Sequence, residues 1–264
     1  MIIDFHTHIF PDKVAEKAIP LLYDTSGRVY NPVHDGTLAG LLGRMDSDGV
    51  GMSVVQPIVT KPSQTKHINE WAAQICSDRI ISFGSIYPLS ADYRSQIDFV
   101  AGLELKGLKF HAEYQEFILD DPHMLRVYDY ALSRGLILLH HAGFDPGFQP
   151  PFKSAPRQFV RVLEAVRGGV IVAAHLGGHA QWDDVENELA GRDIYLDTSM
   201  GFEFFSRDQF LRIVKKHGAD KILFATDSPW SDAKNELAAL NSMPLESGEI
   251  EAIKGGNAMR LLGI

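Results

Sequence analysis

The sequence predicts an α/β fold, a (β/α)8 TIM barrel, and three observations carry that prediction. Short apolar runs alternate with helical stretches from one end of the 264 residues to the other. Several runs, Val170-Ile171-Val172-Ala173-Ala174 among them, are apolar on both faces, as a parallel strand covered on both sides must be. Eight such alternations occur with no break in composition, in a length near the ~250 residues usual for this barrel. One domain spanning residues 1–264 follows. The open doubly wound sheet is the alternative, but no Gly-x-Gly-x-x-Gly turn follows the first strand.

Each element has its own signal. The expected strands are Ile2–His8, Ser53–Ile58, Ile80–Tyr87, Leu105–His111, Leu136–Gly143, Val170–Leu176, Ile194–Ser199 and Lys221–Asp227. A short helix follows the first strand. The next, Thr37–Asp48, places Leu38, Leu41, Leu42 and Met45 on one face, a helical spacing. Helices are then expected over Asn69–Ser77, Tyr93–Leu103, Pro122–Arg134, Pro156–Arg167, Asp183–Ala190, Arg207–His217 and Ala233–Met243. A last one near Glu249–Leu262 carries Gly255-Gly256 inside it, which blurs its boundary. Two connections are long, Tyr23–Gly36 and the Phe- and Pro-rich Phe144–Ala155. Loops that follow barrel strands lie on the catalytic face, and the second, stiffened by prolines and carrying three phenylalanines, is a candidate for part of a lid or a subunit contact.

Composition narrows the function. Hydrophobic residues make up 45% and charged residues 22%, which supports a sizeable core. The net charge of −9 and the absence of a Lys/Arg cluster disfavour nucleic acid and anionic membrane partners. No apolar run approaches the ~20 residues of a membrane span, and no signal-peptide pattern opens the chain. A cytoplasmic location is expected. The single cysteine, Cys76, excludes an internal disulfide and is expected to be a small buried apolar side chain.

Polar residues gather at the C-terminal ends of the predicted strands. The first ends in His6 and His8, one face of a strand by alternation. With 11 histidines, roughly half of one His-x-His pair is expected by chance, so position gives the pair its weight. The fourth strand ends in Lys109 and His111, the fifth in His140-His141, the sixth in His175 and the eighth in Asp227. One such histidine alone is better read as a core residue. Five strands ending this way at one end of one barrel point to a reaction centre. Imidazole and carboxylate without thiolate suit Zn²⁺, or Mn²⁺, Fe²⁺ or Co²⁺, in an open catalytic site. Such an ion lowers the pKa of bound water to about 7.

These segments resemble the amidohydrolase superfamily, and within it the amidohydrolase-related group that includes aminocarboxymuconate-semialdehyde decarboxylase. The similarity runs through residues 3–11, Gly107-Leu108-Lys109-Phe110-His111 with Tyr114 and Gln115, residues 135–143, and Ala174-His175-Leu176-Gly177-Gly178. It continues through Tyr195-Leu196-Asp197-Thr198-Ser199, residues 224–230, and Gly256-Asn257-Ala258 with Leu261-Leu262. The resemblance implies one divalent transition metal, zinc first, held by His6, His8, His141 and Asp227. A second metal is left open. His141 is taken over His140 because it aligns with the family's His-x-Gly pattern; strand parity does not decide between them. Asp227 would also shuttle protons, and His175 would act on the substrate or hold a second metal. Asp4 shares a face with His6 and His8 in an ideal strand and is expected to be a buried hydrogen-bond partner. Lys109 is expected to grip a substrate carboxylate, with a metal-bridging carbamylated lysine and a structural ion pair as alternatives. His111 is placed in the substrate pocket. The decarboxylases of this group carry an arginine after the first strand; here that region offers only Arg28, in a loop, and Arg44, expected to face solvent.

The leading expectation is therefore a hydrolase of a small ester, lactone or amide. The alternative is a non-oxidative decarboxylase of an aromatic or muconate-like acid. A TatD-type nuclease is disfavoured, since its Gly-Glu-x-Gly-Leu-Asp segment is replaced by Gly-Leu-Lys-Phe-His. A non-catalytic scaffold is disfavoured by retention of every metal and proton-transfer position. The expected partner is a small molecule, with no nucleic acid and no membrane; homo-oligomerisation is left open.

Overall fold

In the computed structural model, which describes residues 1–264, the strands are β1 (Ile3–Thr7), β2 (Met52–Val55), β3 (Ile80–Ser82), β4 (Gly107–Phe110), β5 (Ile137–His140), β6 (Ile171–Ala173), β7 (Tyr195–Asp197) and β8 (Ile222–Leu223). Each pairs in parallel with its sequence neighbour, in the orders β1-β2-β3 and β4-β5-β6-β7-β8. Parallel bridges at Gly84↔Leu108 and Thr7↔Ser228 join the two sets. At those seams Lys109 N donates to Gly84 O at 2.9 Å and Asp227 N donates to His6 O at 2.8 Å. The eight strands thus close into the predicted barrel, and closure leaves no unpaired edge.

The outer layer is α1 (Asp12–Thr25), α2 (Leu38–Asp48), α3 (Thr65–Gln74), α4 (Tyr93–Gly102), α5 (Pro122–Ser133), α6 (Pro156–Ala165), α7 (Trp182–Asp184), α8 (Arg207–His217), α9 (Ala233–Asn241), α10 (Ser247–Glu251) and α11 (Asn257–Leu262). Side chains that suit an N-cap start several of them: Thr37 accepts from Gly40 N, Asp121 from His123 N and Ser206 from Gln209 N. The helix expected over Asp183–Ala190 is one α turn that runs into a π turn, Val185–Leu189. The closing helix is likewise split by a π turn, Ala252–Gly256. Gly255 is needed there because a Cβ would lie 2.2 Å from Met1 O.

The barrel interior is apolar at its N-terminal end. Ile3, Phe5, Val54, Phe83, Leu139, Val172 and Leu223 fill it, and Ala258 and Leu262 of α11 plug its base. The helices pack on the outer faces through a larger cluster that includes Leu108, Phe110, Leu138 and Phe224. Polar residues occupy only the C-terminal end of the interior, so the site lies above a sealed apolar floor.

Three expectations are corrected. Asp4 is the buried hydrogen-bond partner expected of it, but it does not share a face with the two histidines. Between Asp4 and Thr7, β1 spends three residues where β2 spends two, Ser53 to Val55. This bulge turns His6 and His8 inward and leaves Asp4 outside, bonded to Thr226 N at 3.0 Å and Thr226 Oγ1 at 2.6 Å. Cys76 is exposed rather than buried, because it falls beyond the last turn of α3. Arg44 is not solvent-facing. It is half-buried and bridges Asp48 at 3.0 Å and Asp232 at 2.9 Å, tying α2 to the start of α9.

Candidate active site

The predicted residues His6, His8, Lys109, His111, His141, His175 and Asp227 all line one cavity at the C-terminal end of the barrel. Its empty volume is about 840 Å³ with the open mouth included. Both long connections contribute walls: Ser26 and Tyr30 from one, Phe144, Asp145, Pro146 and Gly147 from the other. Lys109 is the only cationic side chain among the lining residues. Arg28 is exposed and paired with Asp24 at 2.8 Å, and Arg44 is held outside the cavity.

His6 Nε2, His8 Nε2 and Asp227 Oδ1 form a triangle with sides of 3.1, 3.0 and 3.2 Å. His6 Nδ1 faces Asp197 Oδ2 at 3.0 Å. Asp197 is an acceptor for His175 N, Ser199 N and His6 together. The proton of His6 therefore sits on Nδ1, and Nε2 presents a lone pair to the triangle. Burial, with the Lys109 ammonium 2.8 Å away, keeps His6 well below the usual histidine range. Burial pushes the Asp227 carboxyl up, but His6 and His8 outweigh it and the group lies below its ordinary value. Its Oδ1 is buried and meets no hydrogen bond. Three electron-pair donors converging about one point, one of them orphaned, fit a single divalent cation.

Beyond the triangle, imidazoles run in a row across the floor. The His6 and His175 rings lie 5.5 Å apart. His175 Nε2 is 3.0 Å from His141 Nδ1. His141 stacks on His111 at 4.1 Å, and His111 Nε2 reaches Asp145 Oδ2 at 3.2 Å. A carboxylate thus closes each end of the row, Asp227 at one and Asp145 at the other. His141 is not within the triangle. Its Nδ1 faces His175, while its buried Nε2 has no partner. His140 points away, onto the outer face of β5, between Phe110 at 5.0 Å and Tyr128 at 4.9 Å. The structure thereby separates the two adjacent histidines: one lines the cavity and one is core.

Backbone strain concentrates here. His175, Met200 and Asp227 have φ of 56°, 46° and 65°, left-handed values that cost non-glycine residues energy and recur at functional sites. Gly143 at φ 85° lets the loop after β5 pass the loop after β6, since a Cβ would lie 2.4 Å from His179 N.

Four cavity-shaping residues were not predicted: Asp145, Asp197, Ser199 and His179. Asp197 obeyed the same rule as the others, a polar residue ending a buried strand, and that signal was sufficient to find it. Ser199 follows it by two residues and holds His175 Nδ1 at 2.9 Å. Asp145 and His179 sit in loops, where no periodicity marks them.

The amidohydrolase family model matches residues 3–264. The chain belongs to the amidohydrolase family. A search of curated proteins finds no match. Among solved structures, this amidohydrolase is similar to an uncharacterized TIM-barrel protein from Bordetella bronchiseptica, at 18% identity and TM-score 0.78 over 99% of this chain and 98% of that one. It is similar to 5-carboxyvanillate decarboxylase from Sphingomonas paucimobilis, at 18% identity and TM-score 0.73 over 100% and 99%. It is also similar to a 5-carboxyvanillate decarboxylase from Novosphingobium aromaticivorans complexed with manganese and a nitrobenzoic acid, at 13% identity and TM-score 0.73 over 100% and 96%. At these identities the likeness establishes the barrel. No helix of the amidohydrolase is long and apolar enough to cross a membrane.

Proposed function

We propose that this amidohydrolase is a metal-dependent non-oxidative decarboxylase of a small aromatic carboxylic acid, the second of the two activities expected from sequence. Lys109 carries the reading. It is buried, it is the one cation lining the cavity, and its Nζ lies 2.8 Å from His6 Nε2. A decarboxylase must seat an ionised carboxylate beside its metal donors, and a buried ammonium does this. A hydrolase of a neutral ester or amide has no such need. Phe10, Tyr30, Tyr114, Phe144 and Trp230 give the cavity flat apolar walls for a ring. The decarboxylase names of the Sphingomonas and Novosphingobium relatives support the same choice.

His6, His8 and Asp227 would hold the metal, with the unpartnered Nε2 of His141 as the fourth donor. Manganese and zinc both suit this set, and the manganese complex of the Novosphingobium protein favours testing manganese beside zinc. The bound ion supplies Lewis-acid stabilisation of negative charge on substrate oxygens. Lys109 pairs with the carboxylate and orients it. Asp227, aided by His175, relays to the ring carbon that bears the carboxylate a proton taken from the substrate's own ring hydroxyl or from water. The bond to the carboxylate then breaks, its electron pair restores the ring, and carbon dioxide leaves. Asp197 and Ser199 fix the orientations of His6 and His175 throughout.

Metal-loaded protein incubated with hydroxybenzoates should release carbon dioxide and the matching phenol. Hydrolysis of aryl esters or lactones with no carbon dioxide from any acid would overturn the proposal. That is the hydrolytic reading the sequence put first, in which the orphaned Asp227 Oδ1 takes the water proton.

A further inference from the structure

We propose that Asp145 is the specificity determinant of the cavity. It accepts a hydrogen bond from a hydroxyl or amino group on the substrate ring, at the end remote from His6, His8 and Asp227, and it turns away a second carboxylate. The proposal rests on the reading of the cavity as a site for an aromatic acid.

The charge layout of the cavity carries it. Its lining holds three formally charged side chains, Lys109, Asp145 and Asp227. Lys109 lies against the His6 end of the imidazole row. Asp145 closes the opposite end through His111. No arginine lines the cavity, and Arg28 and Arg44 are committed to aspartates. One carboxylate therefore has one cation to meet. A second carboxylate on the same ring would be desolvated facing Asp145, with nothing to neutralise it.

Asp145 is also built as an acceptor. Its Oδ1 receives Gly147 N at 2.8 Å and its Oδ2 faces His111 Nε2 at 3.2 Å. An ionised carboxylate offers about four lone-pair positions, so each oxygen keeps capacity toward the cavity. Burial pushes this carboxyl up, but the His111 hydrogen bond outweighs it and keeps the group on the acid side of its ordinary value. His111 is not free to take over the contact. Its Nε2 faces Asp145 and its Nδ1 faces Tyr114 N at 3.5 Å, so both ring nitrogens are engaged and it holds Asp145 in place.

The test is binding, measured by calorimetry on metal-loaded protein with benzoate, 3-hydroxybenzoate, 4-hydroxybenzoate, isophthalate and terephthalate. At least one hydroxybenzoate should bind about tenfold tighter than benzoate, and both dicarboxylates at least about tenfold weaker. Asp145→Asn should bring the dicarboxylates to within about threefold of benzoate, each measured on that variant. Wild-type protein that binds isophthalate or terephthalate as tightly as benzoate overturns the proposal. So does an Asp145→Asn protein with an unaltered ranking, and so does loss of benzoate binding in that variant, which would make Asp145 a loop support. Failure of all five probes to bind overturns the underlying reading instead. Absence of carbon dioxide release with the ranking intact rejects decarboxylation and leaves the role of Asp145 standing.

Discussion

His6 Nδ1 and Asp197 Oδ2 lie 3.0 Å apart with both side chains sealed from solvent. The contact joins the first strand of the barrel to the seventh and decides which nitrogen of His6 faces the cavity. Asp197→Asn replaces an obligate acceptor by an amide that can turn its NH₂ toward Nδ1. The opposite tautomer then places a proton on Nε2, where the donor triangle needs a lone pair. Partners of this kind commonly contribute 10–100-fold in metal affinity. Asp197→Asn is expected to fall in that range, measured by competition with a chelator, with the circular dichroism spectrum retained.

His140 makes the opposite prediction. Its two ring nitrogens are buried with no hydrogen-bond partner, and burial lowers its pKa to about 3. His140→Leu should leave activity intact and stabilise the fold by about 1–3 kcal/mol, the cost of unpaired buried polar groups. The pH dependence follows from the sign of the shift. The unfolded chain takes up a proton near pH 6.5 and the folded one does not until about pH 3, so wild-type stability is full above 6.5 and declines on acidification toward 3. The slope from this group is at most about 1.4 kcal/mol per pH unit. Denaturant melts of wild type and variant should diverge between those limits.

Glu236 reverses the direction. It is buried in α9 beside Ser231, and burial raises its pKa to about 7. The folded chain keeps this proton where the unfolded chain, near 4.5, has lost it. The stability this group contributes is complete below pH 4.5 and is lost as pH rises through about 7. Glu236→Gln should remove that decline, so that the variant is more stable than wild type at pH 8 by about 3 kcal/mol and nearly equal to it at pH 4.5.

What the sequence made legible was whatever a period encodes. The barrel followed from alternating apolar runs and helical faces, and the positions of His8, Lys109, His175 and Asp227 followed from their places at strand ends. Two features were beyond its reach. The bulge that separates Asp4 from His6 is a change of count between β1 and β2, and alternation along one strand does not carry it. The choice between His140 and His141 depends on Phe110, Tyr128 and Phe159 arriving from other elements to cage one of them. Asp197 carries the strand-end signal shared by the other site residues. Asp145 was not legible, because its partner His111 lies 34 positions earlier, with α5 and β5 between them, and no period relates the two.

Lys109 is where the two expected activities part, and one variant separates its roles. Its Nζ touches His6 Nε2 at 2.8 Å, and burial lowers its pKa to about 8. Lys109→Met keeps the length and apolar stem and removes the charge. If Lys109 serves the substrate carboxylate, the variant should bind benzoate about 100-fold more weakly, as expected when a buried charge loses its partner, while its metal content matches wild type by elemental analysis. If Lys109 instead belongs to the metal site as a carbamylated bridge, metal content should fall and benzoate binding should follow it. The first result is the expected one. Chelation of wild-type protein supplies the control: it should abolish activity, lower the melting temperature by removing a ligand of the folded state, and be reversed by manganese or zinc, whereas Lys109→Met loaded with either ion should recover the melting temperature without recovering the affinity for benzoate.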